Sequence, residues 1–219
     1  MIWHIVHILT YFGDSMLLIP TAVIVAIAIK LKSSDPRAVW YWIAAFCTAG
    51  AVVSLSKIAF MGFGIGNARF NFTGFSGHSA MSATLWPVLL WLLSGGLSSF
   101  WRGVACAVGY FIPLIVGASR LLLHYHSTSE VVTGLTLGFI LSTVFLFSQR
   151  GRLPQPFAFW QVCLTLLLPV LLLGHGRIAT TQQFLQRLSV QLAGIDHAWT
   201  REELLKLRHE VAVIQKQLF

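Results

Sequence analysis

The sequence predicts an all-α protein: a polytopic membrane helical bundle of about six transmembrane helices, followed by a C-terminal extramembrane helical tail. Three observations carry this. Of 219 residues, 56% are hydrophobic and 10% charged, with a mean hydropathy of +0.76; a soluble domain carries about a quarter charged residues. Six apolar runs, near 15–31, 38–60, 79–94, 100–118, 130–148 and 157–174, approach the ~20 residues that cross ~30 Å of hydrocarbon. The chain then changes character. Residues 175–219 mix basic and acidic side chains with apolar positions at helical spacing. Two units follow, a membrane-embedded bundle over 1–174 and an amphipathic tail over 175–219.

Residues 1–12 are apolar and aromatic, and Met1–Tyr11 is expected to lie along the interface before the chain turns inward. Gly13-Asp14-Ser15 breaks them from the first long run, and Asp14 is well placed as the N-cap of the helix beginning there. With no basic leader and no small-residue cleavage site, that run reads as an uncleaved first span. Pro20, Pro87, Pro113 and Pro169 fall inside spans, where helices in lipid tolerate them. Gly134 and Gly138 form a small-x-x-x-small pair, read as a packing position rather than a dimer signal. In the tail, Leu185, Leu188, Leu192 and Ile195 form one helix stripe; Leu204, Leu207, Val211, Ile214 and Leu218 form a second. The break between them is expected near Gly194, with the two helices on the membrane or on each other.

The net charge of +8 comes from basic residues scattered singly, not from a run, which argues against nucleic acid as a partner. Cys47, Cys106 and Cys163 lack C-x-x-C spacing and read as small apolar residues. Lys30, Lys32 and Arg37, then Arg102, then Arg150 and Arg152 fall in three loops that alternation puts on one side. Positive charge marks that side as cytoplasmic.

The loops on the other side hold two polar islands, Phe75-Ser76-Gly77-His78 and Ser119-Arg120 with His126-Ser127-Thr128-Ser129-Glu130. Glu130 is the only carboxylate between Pro36 and Ile195. An acid in such a run is expensive to place and marks a functional site. If a helix begins at 126–130, His126 and Glu130 share a face at i, i+4. A carboxylate on one ring nitrogen fixes the tautomer and leaves the other nitrogen's lone pair free. Arg120 offers a fork matched to phosphate oxygens. Ser76-Gly77-His78 opens the third span, where unpaired N–H groups and the dipole favour an anion. A plain helix cap also accounts for Ser76, and a snorkelling interface residue for Lys57. His124 would not share the face of His126. A metal hydrolase wants several carboxylates, and this region has one.

These islands resemble the type 2 phosphatidic acid phosphatase family, which shares its site with vanadium haloperoxidases. The family pattern is K-x6-R-P, then P-S-G-H, then S-R-x5-H-x3-D. The chain has Phe75-Ser76-Gly77-His78 for the second part and Ser119-Arg120-x5-His126-x3-Glu130 for the third, and the likeness covers roughly 57–134. Three departures stand out. Phe75 replaces proline, and Glu130 replaces aspartate. Lys57 is in place, but Gly64-Ile65 stands where Arg-Pro belongs. Arg69, in the glycine-rich loop that follows, is expected to supply the missing charge.

The resemblance implies phosphoryl transfer with no metal and no cofactor. His126 is then the nucleophile, Glu130 its orienting acid and His78 the general acid and base. Arg120, Ser76, Gly77, Lys57, Arg69 and Ser119 are the phosphate-binding set. The implied substrate is a phosphorylated lipid in the bilayer: phosphatidate, phosphatidylglycerol phosphate, undecaprenyl pyrophosphate or a lipid A phosphate. The implied location is a bacterial cytoplasmic membrane with the site facing the periplasm. Two alternatives stay open, a lipid phosphotransferase of the same family and a catalytically impaired relative that binds phospholipid.

Overall fold

An apolar helix in lipid is bounded by its polar ends, and each helix here stops where the sequence supplies them. The computed structural model describes residues 2–152, 154–158, 161, 162, 165, 167 and 180–207. Named helices among them are α1 (Ile2–Tyr11), α2 (Ser15–Lys32), α3 (Ala38–Phe63), α4 (Gly77–Leu93), α5 (Ser99–Leu122), α6 (Thr128–Ser148) and α7 (Thr180–Ala193), and a further helical stretch covers 201–207. Asp14 caps α2, its carboxylate accepting from the Met16 amide at 2.8 Å. Ser76 caps α4. Ser127 and Glu130 cap α6 reciprocally, the Ser127 hydroxyl taking the Glu130 amide and the Glu130 carboxylate taking the Ser127 amide.

Four stretches are long and apolar enough to cross a membrane: Trp3–Lys32, which joins α1 to α2, and then α3, α5 and α6. α4 is shorter, at 17 residues, and is buried along most of its length among α2, α3, α5 and α6. The sixth apolar run lies mostly outside the described residues, as do Cys163, Arg177 and the tail from 208 onward. Outward faces of the long helices carry Val23, Ile27, Trp40, Leu55, Phe111 and Val144 in the open, as lipid contact requires. Inside, Leu18, Val25, Trp42, Leu85, Leu89 and Phe145 belong to one apolar core.

The glycine pair on α6 decides how deep that helix sits. A Cβ at Gly134 would lie 2.7 Å from the Ser76 carbonyl oxygen, and one at Gly138 would lie 2.3 Å from that of Ala80. Both face α4 within the chain, so the small-x-x-x-small pair is an intramolecular seam. It presses the first turns of α4 and α6 together, and the Ser76 amide donates to the Glu130 carbonyl at 3.0 Å.

Two polar ends result. At one, the Gln155 amide donates to the Lys32 carbonyl at 2.9 Å, and Arg152 pairs with Asp35 at 3.2 Å. That end gathers the basic loops. Both polar islands, Asp14 and the C-terminal end of α3 lie at the other. α1 packs against α5, and the turn that follows it is held by Trp86, whose indole N–H donates to the Phe12 carbonyl at 2.9 Å. α7 packs against α3, burying Leu185 beside Phe60 and Met61. It ends before Gly194, whose φ of 64° turns the chain.

Candidate active site

The site is built on the first turn of α6. The Nδ1–H of His126 donates to Glu130 Oε2 at 2.8 Å, the i, i+4 contact that the spacing predicts. The carboxylate is fully buried and collects further donors. Oε1 accepts from the Thr73 amide at 2.8 Å and the Thr73 hydroxyl at 2.5 Å. Oε2 accepts from the Ser127 amide at 3.2 Å. Arg201, from the tail, reaches both oxygens through Nη2, at 2.9 and 2.7 Å. A buried carboxylate demands this many partners. With Nδ1 committed to Glu130, Nε2 of His126 is left with its lone pair.

Burial holds the His126 imidazole below the usual histidine pKa, although the Glu130 hydrogen bond and charge push it back up; Lys57 and Arg120 add to the lowering. The ring is therefore neutral at pH 7. It lines a cavity of about 410 Å³ together with Arg69, His124 and residues 127–129.

His78 stands at the second position of α4 and feels the charges of Arg120, His126 and Lys57. The two histidines thus share one cluster at one end of the bundle. Its Nε2 lies 3.9 Å from Asp14 Oδ2, the carboxylate oxygen not used in capping α2. Arg120, in the last turn of α5, donates from Nη1 to the Thr10 hydroxyl at 3.0 Å and lies over the Tyr125 ring at 4.5 Å. Its Nε is buried and has no partner among the described residues. Lys57 is half-buried on α3 and donates to Gln182 Oε1 of α7 at 2.8 Å.

The remaining candidates are placed differently. Arg69 is exposed at the cavity wall, its guanidinium over the Phe70 ring at 5.7 Å. The Ser76 hydroxyl faces inward onto Ser79 at 2.9 Å, which leaves the Gly77 amide as that turn's contribution to an anion. The Ser119 hydroxyl is taken up by the Val116 carbonyl at 2.6 Å.

Gly64 explains the gap in the first motif. It is the C-cap of α3 at φ 66°, a left-handed position where arginine would be strained, and a Cβ there would lie 3.3 Å from the Trp199 ring. The helix ends and the tail fills the space.

Arg201 and Thr73 are the site residues that sequence reasoning missed. Thr73 carries no signal in its surroundings. The Thr200-x-x-Glu203 capping box that presents Arg201 is a readable pattern, but nothing in it points towards residue 130.

Comparisons with known proteins place the stretch of chain around Glu130 in a family. The PAP2 superfamily matches residues 56–154, the stretch holding every motif residue of the two islands. An uncharacterized 22.5 kDa protein in the cps region of Klebsiella pneumoniae is 40% identical over 204 residues, covering 91% of this chain and 97% of that protein. Among solved structures, a transmembrane PAP2-type phosphatidylglycerolphosphate phosphatase from Bacillus subtilis superposes with a TM-score of 0.54 at 22% identity, over 68% of this chain and 78% of that one. That likeness speaks for the fold. A histidine on a buried acid at the mouth of a helical bundle, the matched stretch around it and a near full-length relative lead to one conclusion: the chain belongs to the PAP2 superfamily and is a membrane phosphatase of that family.

Proposed function

We propose that the chain hydrolyses the phosphate or pyrophosphate of a membrane lipid through a phosphohistidine on His126, at the outer face of a bacterial cytoplasmic membrane. The observation that carries this is the 2.8 Å contact between His126 Nδ1 and the buried Glu130. It leaves Nε2 as a nucleophile of fixed direction beside a cluster of cations. The lone pair attacks phosphorus, and the bond from phosphorus to the lipid oxygen breaks. His78 gives that oxygen a proton. Water then attacks the phosphohistidine, His78 takes its proton, the N–P bond breaks and inorganic phosphate leaves. A bound phosphate dianion is what favours a protonated His78 beforehand. Arg120, whose Nε has hydrogen-bonding capacity left, Lys57 and the Gly77 amide neutralise the equatorial oxygens, with Arg69 reaching in from the cavity wall. No step uses a metal.

The outward orientation rests on charge. The loops with Lys30, Lys32, Arg37, Arg102, Arg150 and Arg152 lie away from the site, and such loops stay in the cytoplasm. An outward site suits a headgroup displayed in the outer leaflet. Phosphatidylglycerolphosphate, the substrate of the Bacillus subtilis phosphatase, heads the substrates to try.

The test is phosphate release in detergent from a panel of phosphatidylglycerolphosphate, phosphatidate and polyprenyl pyrophosphate, with and without EDTA. Release from at least one lipid, unaffected by chelator, blocked by vanadate and accompanied by a phosphohistidine, is expected. Strong inhibition by EDTA would count against the mechanism. Label passing to a second lipid instead of water would make the chain a transferase.

A further inference from the structure

The C-terminal tail reaches back to the site at two points, and both are charged site residues. Gln182 on α7 holds the Lys57 ammonium, and Arg201 holds the Glu130 carboxylate. The second contact is the more telling. Arg201 also donates from Nη1 to Asn71 Oδ1 at 3.1 Å, which ties it to the loop that delivers Thr73 to the same carboxylate.

The local structure of the tail is arranged around this arginine. Trp199 stacks on Gly64, and its amide donates to the Met61 carbonyl at 2.8 Å, which fixes the chain where α3 ends. Thr200 and Glu203 then form a capping box, with the Thr200 amide donating to Glu203 Oε2 at 2.7 Å. His197 adds a further contact to Glu203 at 2.9 Å, and these partners hold the Glu203 carboxyl down at about 2. Arg201 is therefore the first residue of the helix over 201–207. A cation there opposes the helix dipole, so the helix itself gives no reason for it. Glu130 does.

From this arrangement we infer that Arg201 is a positioning residue of the phosphatase reaction, acting through Glu130 on His126, so that the C-terminal tail completes the active site. The inference rests on the reading of His126 as nucleophile. The guanidinium shares the carboxylate's charge, and less of that charge is left to favour a protonated imidazole. It keeps the nucleophile neutral while holding the acid that orients it. It also brings a guanidinium to a site whose first motif lacks one, since Gly64 and Trp199 occupy that place.

The other charged and titratable groups facing His126 are Glu130 on α6, Lys57 on α3, His78 on α4, Arg120 on α5, and Arg69 and His124 at the cavity wall. All remain when Arg201 is changed. The direction is then fixed. Arg201→Met leaves more negative charge on Glu130 to face the ring, raises the ring's pKa and moves the acid limb of kcat/KM to higher pH by about one unit, with activity about tenfold lower only well below both midpoints and hardly changed at pH 8.5. Arg201→Lys, a point charge without the fork, is expected to lie between.

The decisive measurement does not need turnover. The full-length protein in detergent is treated with diethylpyrocarbonate across pH 5–9, and the rate of His126 modification is read by peptide mass spectrometry for wild type, Arg201→Met and Arg201→Lys. Midpoints that rise from wild type through Lys to Met establish the inference. Equal midpoints in variants that elute and melt like wild type overturn it and make Arg201 a structural tether. If Arg201→Met does not fold, the Lys variant decides alone, by a shifted or an unshifted midpoint. Wild-type protein inert on every lipid of the panel would remove the proposed substrate, while the His126 titration would still decide the role of Arg201.

Discussion

The two histidines of the site are held in different ways. His126 is 15% exposed and bonded at 2.8 Å to an acid with no exposure at all; His78 is 27% exposed and lies 3.9 Å from an acid already engaged as a helix cap. Glu130 is clamped by donors from the 71–73 loop, from α6 and from the tail, so it cannot turn without breaking several bonds. Asp14 has one oxygen on Met16 and the other loosely towards His78. The difference fits the chemistry asked of each ring. A nucleophile must present one lone pair in one direction. A group that gives a proton and takes one back needs its ring nitrogen accessible and not locked to a carboxylate.

The comparison breaks first at the nucleophile. His126→Ala is expected to lower phosphate release by at least about 10⁴-fold, and no phosphohistidine should form. His78→Ala is expected to cost about 10³-fold on alkyl phosphates. In kcat/KM, which ends with departure of the leaving group, aryl phosphates, whose leaving oxygen needs no proton, should suffer far less; the later attack of water, where His78 is the base, is common to both classes and slows kcat for both. An equal loss of kcat/KM on both classes would show that His78 binds phosphate and does not protonate the leaving group.

Glu130→Gln is expected to cost about 10²-fold at pH 7, since a misplaced ring loses about that much. It also has a signature in pH. The carboxylate raises a ring pKa that burial has lowered, so its removal lowers that pKa further. The acid limb should move to lower pH while the plateau falls. Arg201→Met is expected to move the same limb in the opposite direction. Two substitutions at one contact that shift one titration with opposite signs are hard to obtain from general loosening of the fold.

Arg69→Ala should cost about tenfold, mostly in KM, since this side chain stands at the cavity wall away from the nucleophile. Unchanged kinetics would remove it from the phosphate-binding set.

The bundle was legible because lipid imposes length and apolarity on every span. The His126–Glu130 pair was legible because i, i+4 spacing on a helix is a distance. The same short run, Ser127-Thr128-Ser129-Glu130, also spells the capping box that places that helix start. Other features depend on tertiary contacts that no local pattern encodes. Thr73 and Arg201 reach Glu130 across 57 and 71 residues of chain. α4 is shorter than a usual span because it is enclosed by other helices, and so needs no lipid-matched length of its own. Gly64 looked like a damaged motif, but its left-handed backbone and the Trp199 ring against it make it a designed helix end.

The smallest expected effect tests the weaker half of the comparison. Asp14 both caps α2 and faces His78, and asparagine separates the two tasks. It caps a helix as well as aspartate does, so Asp14→Asn keeps the bond to the Met16 amide and removes only the charge. Melting should hardly change. Asp14→Ala loses the cap as well, at about 1 kcal/mol. If the carboxylate steadies His78 for proton transfer, Asp14→Asn should lower kcat/KM on alkyl phosphates about threefold and leave kcat/KM on aryl phosphates untouched, a faint copy of His78→Ala. Were Asp14→Asn to match wild type on both, with Asp14→Ala impaired on both and melting lower, the 3.9 Å approach would be an incidental neighbour of a helix cap, and His78 would work without an acid behind it.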